Sequence, residues 1–136
     1  MTLAKTKSVW LVNDDEYVRK MFAIMLTHGV TNIELTQFEC SVRAWAAMAQ
    51  DKPDLLITAD TMVQMRGKEI AEQLFARGDT FPVIVTTGGD WTKEWVDTLF
   101  AKGMNIRLVD LPCEARTFWE MARQALGLPS RAKPAN

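Results

Sequence analysis

The sequence is poor in most of the residues that mark a specialised chain. It has one histidine and two cysteines, Cys40 and Cys113, in 136 residues. No Cys or His spacing suits a zinc site, and two lone cysteines fit a reducing compartment better than a disulfide scaffold. A basic excess is also missing. The formal charge of −1 gives no electrostatic footprint for nucleic acid, and no polybasic cluster suggests a membrane surface. No apolar run approaches the roughly 20 residues of a membrane-spanning helix. After the N-terminal MTLAKTK, the stretch SVWLVN gives way at once to NDDE, so no signal-peptide core develops. Internal repeats and low-complexity segments are absent too. The expectation from these absences is a cytoplasmic chain with no nucleic-acid or membrane partner.

What is present is apolar and regularly spaced. Hydrophobic residues make up 48% of the chain, enough for one core without disulfides or metal. Ser8–Asn13 reads as a short strand, and Asn13-Asp14-Asp15-Glu16 as a helix start. Val18, Phe22, Met25 and Leu26 then recur at helical spacing up to Gly29. Ile33–Phe38 alternates as a strand. Val42, Trp45, Ala46 and Met48 suggest a helix closed by Pro53. Leu55–Ala59 and Pro82–Thr87 are continuous apolar runs of the kind buried on both faces of a sheet. Between them, Ile70, Ala71, Leu74 and Phe75 mark a helix ending at Gly78. Trp91–Ala101, Ile106–Leu111 and Glu114–Leu126 complete a strand–helix alternation repeated five times.

Such alternation predicts a three-layer, doubly wound α/β domain: five parallel strands covered by helices on both faces. The domain is expected over residues 1–126, with 127–136 a loose polar tail. Sites in these sheets lie beyond the carboxyl ends of the strands. That rule selects Asn13-Asp14-Asp15, Ala59-Asp60, Thr86-Thr87-Gly88-Gly89 and Asp110-Leu111-Pro112.

Four of these stretches, in order, resemble the CheY-like receiver domains of two-component response regulators. VNDDEYVRKMF is similar to that family's acidic first junction. PDLLITADTMVQMRG is similar to its third strand and following loop, FPVIVTTG to its fourth strand, and LPC to the Lys-Pro junction after its fifth. The resemblance spans about residues 8 to 126. It implies a flavodoxin-like fold with its five parallel strands in the order 2-1-3-4-5, and a place in phosphorelay signalling. In the family an aspartate at the end of the third strand accepts a phosphoryl group. Mg²⁺ is held by that aspartate and the first-junction acids, and a Ser/Thr and a Lys contact the phosphate. A hard cation wants oxygen ligands, and the charge on the phosphoryl group wants cations nearby.

Carried over residue by residue, most of this set is missing. Asn13 stands where the first acid belongs and Asp14 where the second does. Six residues on from Pro53 and eight back from Gly67 both give Ala59 at the acceptor position. Leu111 stands for the Lys. Thr87 remains, with the small Gly88 after it. Arg107 or Leu108 falls where the family keeps an aromatic switch residue. The sequence therefore reads as a degenerate receiver, not an enzyme, with no cofactor and only Asp14 left as a weak Mg²⁺ ligand.

Asp60 is expected to be a loop carboxylate capping backbone N–H groups. The alternative keeps it as a shifted acceptor in an active, Mg²⁺-dependent relay. A small phosphohydrolase is a third reading, and Asn13 breaks the D-x-D pair that it would need.

The family's usual partner face is the fourth helix, fifth strand and fifth helix. Trp91, Trp95, Arg107 and Trp119 are its candidate anchors here, or else some of these rings finish the core edge. The partners implied are a histidine kinase, a phosphotransfer protein or an output protein, and a homodimer through that face. Asp15 and Glu16 read as helix-dipole partners, and His28 as a charge near a helix C-terminus. Trp10 and Trp45 read as core.

Overall fold

Apolar strands that must bury both faces alternate with amphipathic helices, and ten elements result in the computed structural model, which describes residues 6–87 and 89–129. They are β1 (Lys7–Val12), α1 (Glu16–Gly29), β2 (Ile33–Phe38), α2 (Ser41–Ala47), β3 (Leu55–Ala59), α3 (Gly67–Arg77), β4 (Val83–Thr87), α4 (Trp91–Ala101), β5 (Ile106–Asp110) and α5 (Ala115–Ala125). Every strand pair is parallel, as the alternation predicts, and the order is β2-β1-β3-β4-β5, as the family resemblance implies. The tail expected at 127–136 lies outside the described residues from position 130 onward, as does Gly88.

The sheet divides the core in two, because successive strand side chains point to opposite faces. Trp10, Leu56, Val83, Val85 and Ile106 meet α2, α3 and α4 through Ala44, Met48, Ile70, Leu74, Val96 and Leu99. On the other face Val9, Leu11, Leu55, Ile57, Ile84 and Val109 meet Phe22 and Leu26 of α1 and Phe118 and Ala122 of α5. The Phe22 and Phe118 rings stand 4.5 Å apart at 45°, which joins α1 to α5. Burying one such ring contributes roughly 1.5–3 kcal/mol. β3 and β4 are buried along their whole length, in line with their unbroken apolar sequence.

Two helix boundaries differ from the apolar spacing: α2 ends at Ala47, well short of Pro53, and α3 starts early. Apolar spacing marks its inward stripe only from Ile70, yet the helix starts at Gly67. Its polar first turn is fixed by the preceding loop, where Gly67 N–H donates to Asp60 O at 2.9 Å. This contact requires glycine. A Cβ on Gly67 would lie 2.4 Å from the Ala59 carbonyl oxygen and 2.9 Å from the Asp60 Cα, both rigid backbone atoms. The glycine thus lets α3 begin directly against the end of β3, where the candidate site lies.

Gly78 ends α3 with φ 82°, a conformation that favours glycine. Asp79 follows, and its carboxylate accepts from Lys52 Nζ at 2.5 Å and Arg77 Nε at 2.7 Å. Burial pushes this carboxyl up, but the hydrogen bonds and charges of Lys52 and Arg77 outweigh it and hold the group below its ordinary value.

Two outcomes follow from this packing. Gly67→Ala should lower stability by about 2–3 kcal/mol in urea denaturation, because backbone must move to admit the methyl. Asp79 has a depressed folded pKa, so its contribution is present above the unfolded carboxylate value and is lost as pH falls through the folded one. Asp79→Asn should therefore be less stable than the parent near neutral pH. The gap should close below about pH 4, measured as urea midpoints across pH.

Candidate functional site

In a sheet ordered 2-1-3-4-5 the chain reverses its direction of winding between β1 and β3, and the crevice beyond their carboxyl ends is the place for a site. The residues after β1 are already engaged there. Asn13 is buried; its N–H donates to Phe38 O at 3.1 Å and its Oδ1 accepts from Asp15 N–H at 2.9 Å. Arg19, also buried, donates from Nη1 to Asn13 O at 2.8 Å. Asp15 caps α1, accepting from Val18 N–H at 3.1 Å, as its place before the helix predicts. Asp14 is exposed, and its Oδ2 accepts from Val63 N–H at 2.7 Å. That bond ties the first junction to the β3–α3 loop. Among the described residues no three His, Cys, Asp or Glu side chains come together as a cation cage.

At the end of β3, Ala59 pairs with Thr86 and is 8% exposed. Its neighbour Asp60 is fully buried. The expectation that Asp60 caps backbone N–H groups does not describe what its side chain does. Oδ2 instead accepts from the hydroxyl of Thr92, on the first turn of α4, at 2.5 Å. Oδ1 has no hydrogen-bond partner, and Arg66 Nη2 stands 3.9 Å from it. The Arg66 guanidinium also lies 4.0 Å from the centre of the Trp91 ring, so this one cation faces both the buried carboxylate and the ring. The local cause is the early start of α3: Gly67 and Arg66 press against the strand end, leaving Asp60 no route to solvent.

Thr87 extends this arrangement. Its Oγ1 is 2.8 Å from Thr92 Oγ1 and accepts from Gly89 N–H at 3.0 Å. Thr92 gives its one hydroxyl proton to Asp60, so the proton between the two hydroxyls comes from Thr87, which has a second acceptor, Gly89 O, at 3.4 Å. The chain therefore runs one way: Gly89 N–H to Thr87, Thr87 to Thr92, Thr92 to Asp60. It ties β3, β4 and α4 together through buried polar groups.

On the far side, Leu111 donates its N–H to Thr87 O at 2.7 Å, and its side chain packs with the α1–α5 half of the core. Cys113 packs there as well, and burial pushes its thiol up, which lowers its reactivity near neutral pH. Cys40 donates from Sγ to Gln64 Oε1 at 3.0 Å.

The four residues suggested for a partner face separate. Trp91 is 46% exposed, whereas Trp95 is 7% exposed and belongs to the core on the α3–α4 side. Trp119 is half-buried against α1, where a Cβ on Gly29 would fall 2.2 Å from its Cγ. Arg107 is exposed on edge strand β5, with its guanidinium 4.7 Å from the Phe100 ring centre. Leu108, half-buried against the α3–α4 side of the core, occupies the other candidate position for a switch aromatic. Trp10 is core, as expected, while Trp45 is only partly buried, under Arg77 at 4.8 Å.

Thr92 and Arg66 belong to no motif of the sequence. For Thr92 a signal existed: Thr92, Trp95, Val96 and Leu99 form the inward stripe of α4, and a threonine on such a stripe needs a buried partner. No comparable pattern marks Arg66, whose role depends on where the loop folds it.

Comparison with known proteins agrees with this geometry. The family model described as "Response regulator receiver domain" matches residues 9–109. The response regulator MprA of Mycobacterium sp. (strain KMS) is 31% identical over 93 residues, which cover 68% of this chain and 40% of that protein. The chain thus spans less than half the length of the curated relatives it matches. The receiver domain of a Francisella response regulator, 1452, superposes with a TM-score of 0.77 at 14% identity, covering 90% of this chain and 98% of that one. The signal receiver domain of an HD domain-containing protein from Pseudomonas fluorescens Pf-5 gives 0.77 at 20% identity, covering 93% and 91%. At these identities the structural matches speak to fold alone. The family match, over most of the chain and with strand ends as described, leads to one conclusion: this protein belongs to the response regulator receiver domain family.

Proposed function

We propose that this receiver domain is a pseudo-receiver, a protein-interaction module of two-component signalling that works without being phosphorylated. The observation that carries the reading is the pair at the end of β3. Ala59, which both spacing counts align with the acceptor, offers a methyl group that cannot form an acyl phosphate. The nearest carboxylate, Asp60, is fully buried and already bonded to Thr92. A nucleophile must meet its donor, and Asp60 has no surface for that encounter.

The remaining donors do not suit Mg²⁺. Asp14 holds the Val63 N–H, Asn13 Oδ1 holds the Asp15 N–H, and Ala59 brings no oxygen from its side chain. One engaged carboxylate is too few for a cation that demands near-octahedral oxygen ligation, so no step is assigned to a metal. Leu111 fits the same reading, since it extends the apolar core where a phosphate-binding lysine would need an anion beside it. A hydrolase reading gains nothing, because Asp15 is spent as a helix cap.

In this reading the buried Asp60 carboxylate supplies permanently what a phosphoryl group supplies transiently elsewhere in the family: a fixed acceptor for the hydroxyls at the β4–α4 junction. Helix α4 is then held in one position, and its partner is a protein that recognises that position.

Incubation with acetyl phosphate and Mg²⁺ should leave the intact mass unchanged, and beryllofluoride should leave the amide NMR spectrum unshifted. A phosphoryl mass increase that disappears in Asp60→Asn would instead restore the active-relay reading. Thr92→Val should cost about 3 kcal/mol in urea unfolding, because it strands a buried carboxylate. In an Asp60→Leu background the same change should cost less than about 1 kcal/mol; equal costs in both backgrounds would mean that the two side chains are uncoupled.

A further inference from the structure

The carboxyl end of the sheet carries a charge pattern that the net charge of −1 conceals. In segments 13–17, 39–41, 60–66 and 89–91, five exposed carboxylates stand at Asp14, Asp15, Glu16, Glu39 and Asp90. The one cation in those segments, Arg66, is folded down onto Trp91. Lys20, a turn into α1, is tied to Glu16 at 3.0 Å, Lys93 in the first turn of α4 is tied to Asp97 at 2.6 Å, and Lys68 at the start of α3 shares a cavity lining with Trp91. Carboxylates suit helix starts for dipole reasons, so the acids alone decide nothing.

The second observation is apolar. Val63 is 90% exposed, Tyr17 81% and Trp91 46%, and all three stand at this end. The segments that carry them are joined by contacts already described. Asp14, three residues before Tyr17, pins the Val63 backbone at 2.7 Å, and Arg66, three residues after Val63, stacks on Trp91 at 4.0 Å. Val63 also borders a shallow cavity of about 190 Å³ with Asp14, Glu39, Cys40, Ser41 and Gln64. The loop between these anchors is held further by Met65 N–H, which donates to the buried Ser41 Oγ at 2.9 Å. An apolar tip on a backbone fixed at both sides loses little freedom on binding, which favours association.

We infer that the Tyr17–Val63–Trp91 ridge, with its carboxylate rim, docks a basic amphipathic helix of a partner protein. Apolar side chains on one stripe of that helix meet the ridge, and Lys or Arg beside the stripe meet the rim carboxylates. Charge complementarity selects this occupant: a second copy of this chain would bring the same acidic end, and an acidic helix would be repelled. The inference rests on the interaction-module reading, yet the two fail separately, because docking is measured with no phosphodonor or Mg²⁺ present.

The probe is a fluorescent synthetic peptide of leucine and lysine, with leucine at i, i+3, i+4 and i+7, titrated with the full chain by anisotropy. Binding should weaken at least about tenfold when salt rises from about 50 mM to about 500 mM. Val63→Lys should weaken it about tenfold or more. Ile24→Lys makes the same charge change at a 59% exposed site farther along α1 and should alter binding less than about twofold. Equal losses in the two variants would overturn the proposal, since only overall charge would then matter. So would equal binding of the glutamate counterpart of the peptide, no binding at all, or a ridge occupied by self-association seen in sedimentation at the titration concentrations.

Discussion

The hydroxyl of Thr92 donating into the buried carboxylate of Asp60 is the contact around which this end of the molecule is organised. A carboxylate without solvent is costly unless donors surround it. Here the compensation comes from one short hydrogen bond and a guanidinium 3.9 Å away. Both depend on neighbours. Thr92 is in place only because α4 starts where it does, and Arg66 is in place only because Gly67 lets α3 meet the strand end. The carboxylate, two helix starts and the Arg66–Trp91 contact therefore stand or fall together, and Thr87 is drawn into the same chain.

That coupling explains how a receiver fold keeps a defined surface with its phosphate chemistry absent, as proposed above. In a switchable domain, the hydroxyl at the end of the fourth strand needs an alternative partner to move to. Thr87 instead has all its partners close by: it accepts from Gly89 N–H and donates toward Thr92 or Gly89 O. Leu108 and Arg107, neither of them aromatic, leave no ring on β5 to exchange places with it.

Much of the fold was legible in the sequence because burial on two sheet faces writes itself as apolar runs. Leu55–Ala59 and Trp91–Ala101 were bounded to the residue, and the strand order followed from the family resemblance. The start of α3 was not legible, since apolar spacing marks only a helix's inward face and its first turn here is polar. The site was legible as a set of positions: Asn13, Asp14, Ala59, Thr87 and Leu111 do gather at the carboxyl ends of β1, β3, β4 and β5. The direction of the Asp60 side chain was not, because it depends on Thr92, thirty-two residues away. The separation of Trp91 from Trp95 and Trp119 likewise depends on which helix packs against each ring.

The bond between Asp14 and the Val63 amide bears on the history of the domain. On the pseudo-receiver reading proposed above, an acid with no ion to hold carries a structural task, holding a loop that would otherwise lose a partner for its backbone. A mutation returning an aspartate to position 59 would meet a first-junction carboxylate already committed elsewhere, and recruiting it for a cation would release the loop. On that reading, loss of function at such a site behaves as a ratchet: each reassigned side chain raises the number of simultaneous changes needed to go back.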